Sequence, residues 1–128
     1  MSSYTVTNLT EVDDSVGERA PGIEGRFLRT RLDSRDLGIS QFRYGAGVRS
    51  PIAHHHKSQE EAYVVAAGSG RMLLDEEVID LRLGDVVRVA PEVIRAFEGG
   101  SDGLELICIG GPRPEEGDGV MVPASWPE

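Results

Sequence analysis

Hydrophobic and polar residues alternate in short segments along most of the chain. In residues 39–44, for example, Ile39, Gln41 and Arg43 alternate with Ser40, Phe42 and Tyr44, which is the two-residue period of a β-strand. The predicted strands are 4–9, 26–32, 39–44, 52–57, 61–67, 71–75, 78–83, 85–90, 93–97 and 104–109. Gly, Asp, Glu or Pro residues separate most of them, and no segment longer than one or two turns has helical periodicity. Many short strands at this spacing predict an all-β sandwich or barrel.

The length of 128 residues predicts a single domain with one hydrophobic core. We expect the core of the barrel at about 39–109, with an N-terminal arm at 1–38 and a C-terminal tail at 110–128. The tail is rich in Pro, Glu and Gly and ends in an apolar segment that contains Trp126, the only tryptophan. This segment is expected to dock on the barrel or on a partner subunit. Together with the predicted strand 4–9 it favours a homodimer in which a terminal segment borders the interface.

The chain is acidic, with 22 Asp and Glu residues against 13 Lys and Arg residues and a formal net charge of -9. This charge repels phosphate groups, so we expect no binding to nucleic acids or to anionic membrane surfaces. The sequence has no apolar run of transmembrane length and no recognisable signal peptide, which predicts a cytoplasmic protein. Cys108 is the only cysteine and is expected to be a small buried hydrophobic residue.

The three histidines of the chain are consecutive, at His54, His55 and His56, and Glu61 follows five residues later. If this segment is a strand, His54 and His56 share one face and His55 points outward from the other. Glu61 on the next strand would complete a set of two imidazoles and one carboxylate. That set suits iron, manganese, zinc or nickel, and three protein ligands leave coordination positions open. The pattern therefore predicts a divalent metal ion held by His54, His56 and Glu61.

Around the histidines the spacing resembles the first motif of the cupin superfamily. That motif has a glycine, two histidines one residue apart, a glutamate and a further glycine, here Gly47, His54, His56, Glu61 and Gly68. The interval from His56 to Gly68 fits the family pattern, whereas the spacer after Gly47 is one residue longer. The resemblance covers residues 39–109. It implies a cupin-type double-stranded β-helix, or jelly-roll barrel, and a small protein that forms homodimers.

The second cupin motif is degraded in this chain. Its proline is present at Pro91, but Val93 replaces a glycine and the histidine is absent. Alignment on the pair Ala96-Phe97 puts Arg95 at the histidine position, whereas a strict count of residues puts Ala96 there. In either alignment the fourth metal ligand of the family is missing.

Three further residues are candidates for contact with a ligand. Arg95 cannot ligate a metal, because a guanidinium has no free lone pair, but it can grip a carboxylate or phosphate. Alternatively, Arg95 forms a salt bridge with Glu61 or Glu98, and a pair with Glu61 would exclude the metal. Tyr63 shares the face of Glu61 and is a candidate pocket wall, and Arg49 is a candidate for the pocket rim.

These observations predict a cupin-type barrel that binds a small polar or anionic molecule at its mouth, together with a divalent metal. Three alternatives remain open: a metal-free binding module, a sugar isomerase or epimerase, and a dioxygenase-like enzyme. The sequence assigns no catalytic residue. It also contains no phosphate-binding glycine loop and no legible Ser-His-Asp or Cys-His grouping.

Overall fold

The computed structural model describes residues 3–127, and within them nearly all regular structure is β-strand. The strands are β1 (Ile23–Phe27), β2 (Gly38–Tyr44), β3 (Ile52–His56), β4 (Glu61–Leu74), β5 (Glu77–Leu81), β6 (Val86–Val89), β7 (Arg95–Gly110) and β8 (Gly119–Pro123). A 3-10 turn, Leu9–Glu11, lies near the N-terminus. No helix within the described residues is long and apolar enough to cross a bilayer.

The two long strands, β4 and β7, connect two antiparallel sheets into a barrel. Their first and second halves belong to different sheets, because the first half of β4 pairs with β6 and the second with β5, while the two halves of β7 pair with β3 and β2. The β4–β7 register shifts at the bend, between Val65 and Ala67 and between Gly68 and Gly70. Sheet 1 has the order β1-β2-β7-β4-β6, and sheet 2 has the order β5-β4-β7-β3-β8. This arrangement confirms the predicted all-β jelly-roll barrel.

Several predicted elements differ from the observed ones. Two pairs of predicted strands are each one continuous strand in the structure: β4 replaces 61–67 and 71–75, and β7 replaces 93–97 and 104–109. The glycines between them form bends inside β4 and β7 rather than turns that end a strand. Strand β1 lies at Ile23–Phe27 instead of 26–32, and β8 was not predicted. The predicted strand 4–9 is wrong: Asn8 begins a 3-10 turn there and forms a capping box with Glu11.

Side chains from the inner faces of both sheets fill the barrel. The largest cluster of buried residues includes Tyr44, Tyr63, Met72, Phe97 and Leu106, and the ring centroids of Tyr63 and Phe97 are 4.9 Å apart. Cys108 belongs to the same cluster and is a free thiol, as expected. The strands that carry the histidines and Glu61 are therefore fixed by a packed core directly beneath them.

The C-terminal tail packs on the outer face of sheet 2 of its own barrel. Strand β8 pairs with β3, while Ala124 and Trp126 cover the small cluster formed by Ala53, Leu73 and Ala96. The indole nitrogen of Trp126 donates a hydrogen bond of 3.0 Å to the carbonyl oxygen of Ser50. Of the two places expected for the tail, the structure shows the barrel itself.

We expect Gly68→Ala to destabilise the protein by about 3 kcal/mol or more. Gly68 has a φ of +72°, and an added Cβ would overlap the carbonyl oxygen of Gly103 on the neighbouring strand. Gly84→Ala is the matched control, because Gly84 has a φ of +90° but, apart from its own residue and its two chain neighbours, no described atom lies within 4 Å of the point that a Cβ would occupy. That control should lose only the backbone term of about 1–2 kcal/mol. Urea unfolding of both variants measures the difference, and equal losses would contradict the proposed close approach of the strands.

Candidate metal centre

The candidate site lies at one mouth of the barrel, between the strand that carries the histidines and the start of β4. Strand β3 alternates its side chains, so His54 and His56 point inward, while His55 lies opposite Val120 on the other face. The Nε2 atoms of His54 and His56 are 3.6 Å and 3.2 Å from Oε1 of Glu61. The fold thus brings together the three residues that the sequence predicts as metal ligands.

Glu61 is a mostly buried carboxylate with several donors around it. The Tyr63 hydroxyl donates a hydrogen bond of 2.5 Å to Oε1, and the Cys108 thiol donates one of 3.4 Å to Oε2. Burial favours the neutral acid, but the imidazoles of His54 and His56 and the Tyr63 hydroxyl outweigh it and hold the pKa of Glu61 far below its usual range. Glu61 is therefore anionic, while burial raises the pKa of Cys108 and Tyr63 and keeps both neutral.

His56 lies between two carboxylates. Its Nδ1 is 2.9 Å from Oδ1 of Asp118, and its Nε2 faces Glu61. Burial lowers the pKa of His56, yet Glu61 and Asp118 raise it further, so the net shift is upward. Burial also raises the pKa of Asp118, but His56 and the backbone N–H groups of Ser58 and Gln59 bring it well below its usual range.

The residues present fit a divalent metal ion. The ligand atoms of His54, His56 and Glu61 all lie within 4.8 Å of one another. The Nε2 atom of His56 is buried and has no hydrogen-bond partner among the described residues, although a carboxylate oxygen lies close to it. A lone pair that faces a carboxylate at this distance is unfavourable unless a cation or a proton lies between them. Imidazole and carboxylate donors also suit iron, manganese, nickel and zinc.

Arg95 lies beside the candidate ligands and is completely buried, with 0% exposure. It is paired with His54 in the β3–β7 register, so Arg95, not Ala96, faces the histidines. Its Nη2 is 3.9 Å from Oε1 of Glu61, so Arg95 forms a long ion pair with Glu61, as one of its two alternatives predicted, but no hydrogen bond. Its guanidinium also makes long bonds of 3.4 Å and 3.3 Å to the carbonyl oxygens of Pro91 and Ala90, while its Nε has no partner within residues 3–127.

Arg49 and Glu98 form a separate group. The Nε of Arg49 donates a hydrogen bond of 2.6 Å to Glu98, which also accepts one of 2.8 Å from Arg71. The guanidinium of Arg49 lies over the ring of Trp126, 4.7 Å from its centroid. Glu98 is therefore the partner of Arg49 and Arg71 rather than of Arg95. Contact between Arg49 and a ligand stays a prediction.

Sequence analysis missed Asp118, which contacts the site from the start of β8. It is 62 residues from His56 in the chain and lies in the Gly-, Glu- and Pro-rich tail. A single aspartate in such a segment has no periodic or spacing signal. The only related signal in the sequence was the apolar segment that follows Asp118, which predicted that the tail packs on the barrel or on a partner subunit.

A surface depression lies away from this site. It has a volume of about 510 Å³ and is lined by Tyr44, Gly68 and Gly103, among others. Gly68 is at the bend of β4, whereas Glu61 begins that strand, so the two places lie at different ends of the first half of β4. This depression contains none of the candidate ligands.

Comparison with known proteins supports the fold. No protein-family model matches the chain. The crystal structure of a cupin protein from Bacteroides fragilis has a TM-score of 0.73 and 26% identity, and the match covers 90% of this chain and 89% of that one. KdgF from Halomonas sp. has a TM-score of 0.71 at 18% identity, covering 88% of this chain and 98% of that one. The chain belongs to the cupin superfamily.

One curated relative is also similar, an uncharacterized protein from Methanocaldococcus jannaschii. It is 31% identical over 62 residues, which are 48% of this chain and 50% of that protein. The match thus spans about half the length of the relative. It adds a sequence likeness to the structural one and supplies no activity.

Proposed function

We propose that this protein binds a divalent metal ion through His54, His56 and Glu61 and holds a small anionic molecule beside it at the barrel mouth. The observation that carries the proposal is the convergence of three ligand atoms within 4.8 Å on a rigid barrel. Iron, manganese, nickel and zinc are all compatible with this ligand set. The metal would act as a Lewis acid toward a bound oxygen atom.

The residues around Glu61 prepare this carboxylate to bind a cation. Tyr63 and Cys108 each donate to one of its oxygens, which fixes the orientation of the carboxylate while leaving it anionic. Because Glu61 and His56 have side chains only 11% and 10% exposed, water competes weakly for these groups. His54, at 30%, is the more exposed ligand and marks the open side of the site.

The charges of the site favour an anionic ligand. Glu61 and Asp118 are negative and Arg95 is positive, so with neutral imidazoles the cluster carries one net negative charge. A divalent cation changes this to one net positive charge, which a monoanion such as a carboxylate would neutralise. The Nε–H of Arg95, to which no described residue offers an acceptor, supplies a donor for it.

A metal-free binding module is the second candidate. The observation that favours it is Arg95, a fully buried cation that is too far from Glu61 for a hydrogen bond and has one N–H without a partner in the described part of the chain. Glu61 at 3.9 Å offsets part of this buried charge, and a bound anion that accepts from the remaining N–H would offset more of it, with or without a metal. Isomerase, epimerase and dioxygenase activities, like the cytoplasmic location and the single-domain boundaries, stay predictions.

We also propose a homodimer that forms through the outer face of sheet 1. The tail covers sheet 2, whereas sheet 1 leaves an aliphatic outer face on β2, β4, β6 and β7, on which Val86 and Ile109 are 65% and 41% exposed. The partly buried members of this face are Ile39, Ala62, Val64 and Ile107. The ion pairs Arg43–Glu105 and Arg88–Glu60 lie at its two ends, so a two-fold partner would meet charges of both signs.

Protein grown in metal-replete medium and purified without a histidine tag should contain close to one equivalent of divalent metal. His56→Ala should remove it, because two remaining ligands cannot close the site. His55→Ala is the matched control: it removes the neighbouring imidazole, which points away from the site, and should leave metal content unchanged. Elemental analysis measures all three proteins. Wild-type protein that holds no metal and takes up none of the four candidate ions would refute the metal site.

Arg95→Met should weaken the binding of small carboxylates by at least tenfold, because a buried hydrogen bond to a charged group contributes about 1.5–3 kcal/mol. The methionine keeps much of the buried volume. Calorimetric titration with acetate and with inorganic phosphate, in the presence and absence of metal, separates the two proposed functions. Metal content should stay constant in the variant, whereas a rise in metal affinity would identify Glu61 as the functional partner of Arg95. Anion binding unchanged in the variant would show that Arg95 does not grip the ligand.

Ile109→Asp should convert the proposed dimer into a monomer, because it places a charge on the aliphatic face beside Ile39 and Ala62. Met121→Asp is the control, since Met121 is 72% exposed but lies on β8 in the other sheet. Sedimentation velocity at micromolar concentration distinguishes the two states. A wild-type protein that sediments as a monomer would contradict the dimer.

A further inference from the structure

The C-terminal segment reaches the candidate metal centre through a single side chain, that of Asp118. Its carboxylate is only 2% exposed and lies at the point where the tail joins β8. Strand β8 then runs antiparallel to β3, with Gly119 opposite His56 and Met121 opposite His54. The last strand of the chain is therefore hydrogen-bonded to the strand that carries both candidate histidine ligands.

The two oxygens of Asp118 have different partners. Oδ2 accepts hydrogen bonds from the backbone N–H of Ser58 and of Gln59, both 2.7 Å, and from the Ser58 hydroxyl at 3.1 Å. Oδ1 contacts Nδ1 of His56 at 2.9 Å. One oxygen thus holds the turn between β3 and β4, and the other holds the imidazole.

We propose that Asp118 is a positioning residue of the metal centre, which fixes His56 as the tautomer protonated on Nδ1 and directs the lone pair of Nε2 toward Glu61. The proposal rests on the metal-binding function proposed above. It assigns to the C-terminal segment a part in building the site.

The hydrogen bond between Nδ1 of His56 and Oδ1 of Asp118 can have only one direction. A carboxylate is an acceptor, so the hydrogen between the two residues belongs to Nδ1 of His56. In a neutral imidazole Nε2 then carries the lone pair. That atom is buried, has no hydrogen-bond partner in the described structure and lies 3.2 Å from Glu61, which is the placement that a metal ligand requires. A carboxylate behind a ligating histidine also increases the basicity of the ring and restricts its rotation.

Asp118→Asn tests the proposal in the full-length protein. The amide retains the size of the side chain but removes its charge, and it can present either an acceptor or a donor to Nδ1. We expect a tenfold to hundredfold loss of affinity for added zinc or manganese, the usual effect of losing such a partner. In metal-free protein at alkaline pH, nitrogen NMR of the imidazoles should show His56 protonated on Nδ1 in the wild type and a mixture of tautomers in the variant.

Two control variants separate positioning from stability. Ser58→Ala removes a hydrogen bond to Oδ2 without affecting the contact between Oδ1 and His56, so it should leave the metal affinity and the tautomer unchanged. Asp14→Asn alters another aspartate that accepts several backbone hydrogen bonds, from Val16, Gly17 and Gly25, away from the histidines. It should lower the unfolding temperature without changing metal affinity.

Two results would overturn the role of Asp118. One is a His56 tautomer that is the same in wild type and Asp118→Asn, and the other is a loss of metal affinity in Asp14→Asn as large as in Asp118→Asn. Failure of the proposed function is a separate outcome: wild-type protein would bind none of the metals, while the NMR comparison would still show Asp118 fixing the tautomer of His56.

Discussion

The buried negative charge of Glu61 is the constraint on which the rest of the site depends. A carboxylate with a side chain only 11% exposed is costly to bury unless donors or cations surround it. The fold supplies them from three strands: His56 from β3, Tyr63 from β4, and Arg95 and Cys108 from the first and second halves of β7. These positions meet because β4 and β7 each bend from one sheet into the other. The bends therefore both close the barrel and bring these side chains together around Glu61.

The two sheets differ in how their outer faces are covered, and this difference has functional consequences. Sheet 2 is covered by the chain's own tail, and the same tail delivers Asp118 to His56. Sheet 1 keeps its aliphatic outer face at the surface, where Val86 and Ile109 are well exposed. Because burying apolar surface is the main favourable term in association, sheet 1 is the face suited to a second copy of the chain. One terminal segment thus contributes a side chain to the candidate metal centre, and the sheet without such a cover is the one through which we propose the homodimer.

The sequence predicted the elements whose determinants are local. Alternation in β2 and β3 and the spacing of His54, His56 and Glu61 depend on neighbouring residues, and all were recovered. The continuity of β4 and β7 was not predicted, since a glycine that bends a strand has the same sequence pattern as one that ends it. The contact between Asp118 and His56 joins residues far apart in the chain, and no local pattern encodes it. The predicted strand at 4–9 was wrong because Asn8 and Glu11 form a capping box. Their side chains accept hydrogen bonds from nearby backbone N–H groups, which would otherwise be available to a neighbouring strand.

Arg95 is the residue at which this chain departs from the family pattern, and its charge changes the chemistry of the candidate site. Where the second motif has a histidine, this chain has a cation that cannot ligate a metal, yet its side chain still points at the same cluster. In the proposed function, this cation gives the pocket a donor for an anion. Relative to the family pattern, the candidate site therefore has three potential metal ligands and a buried cation at the position of the fourth. If the proposed function holds, a metal beside Glu61 and an anion beside Arg95 would attract each other, so that each would strengthen the binding of the other.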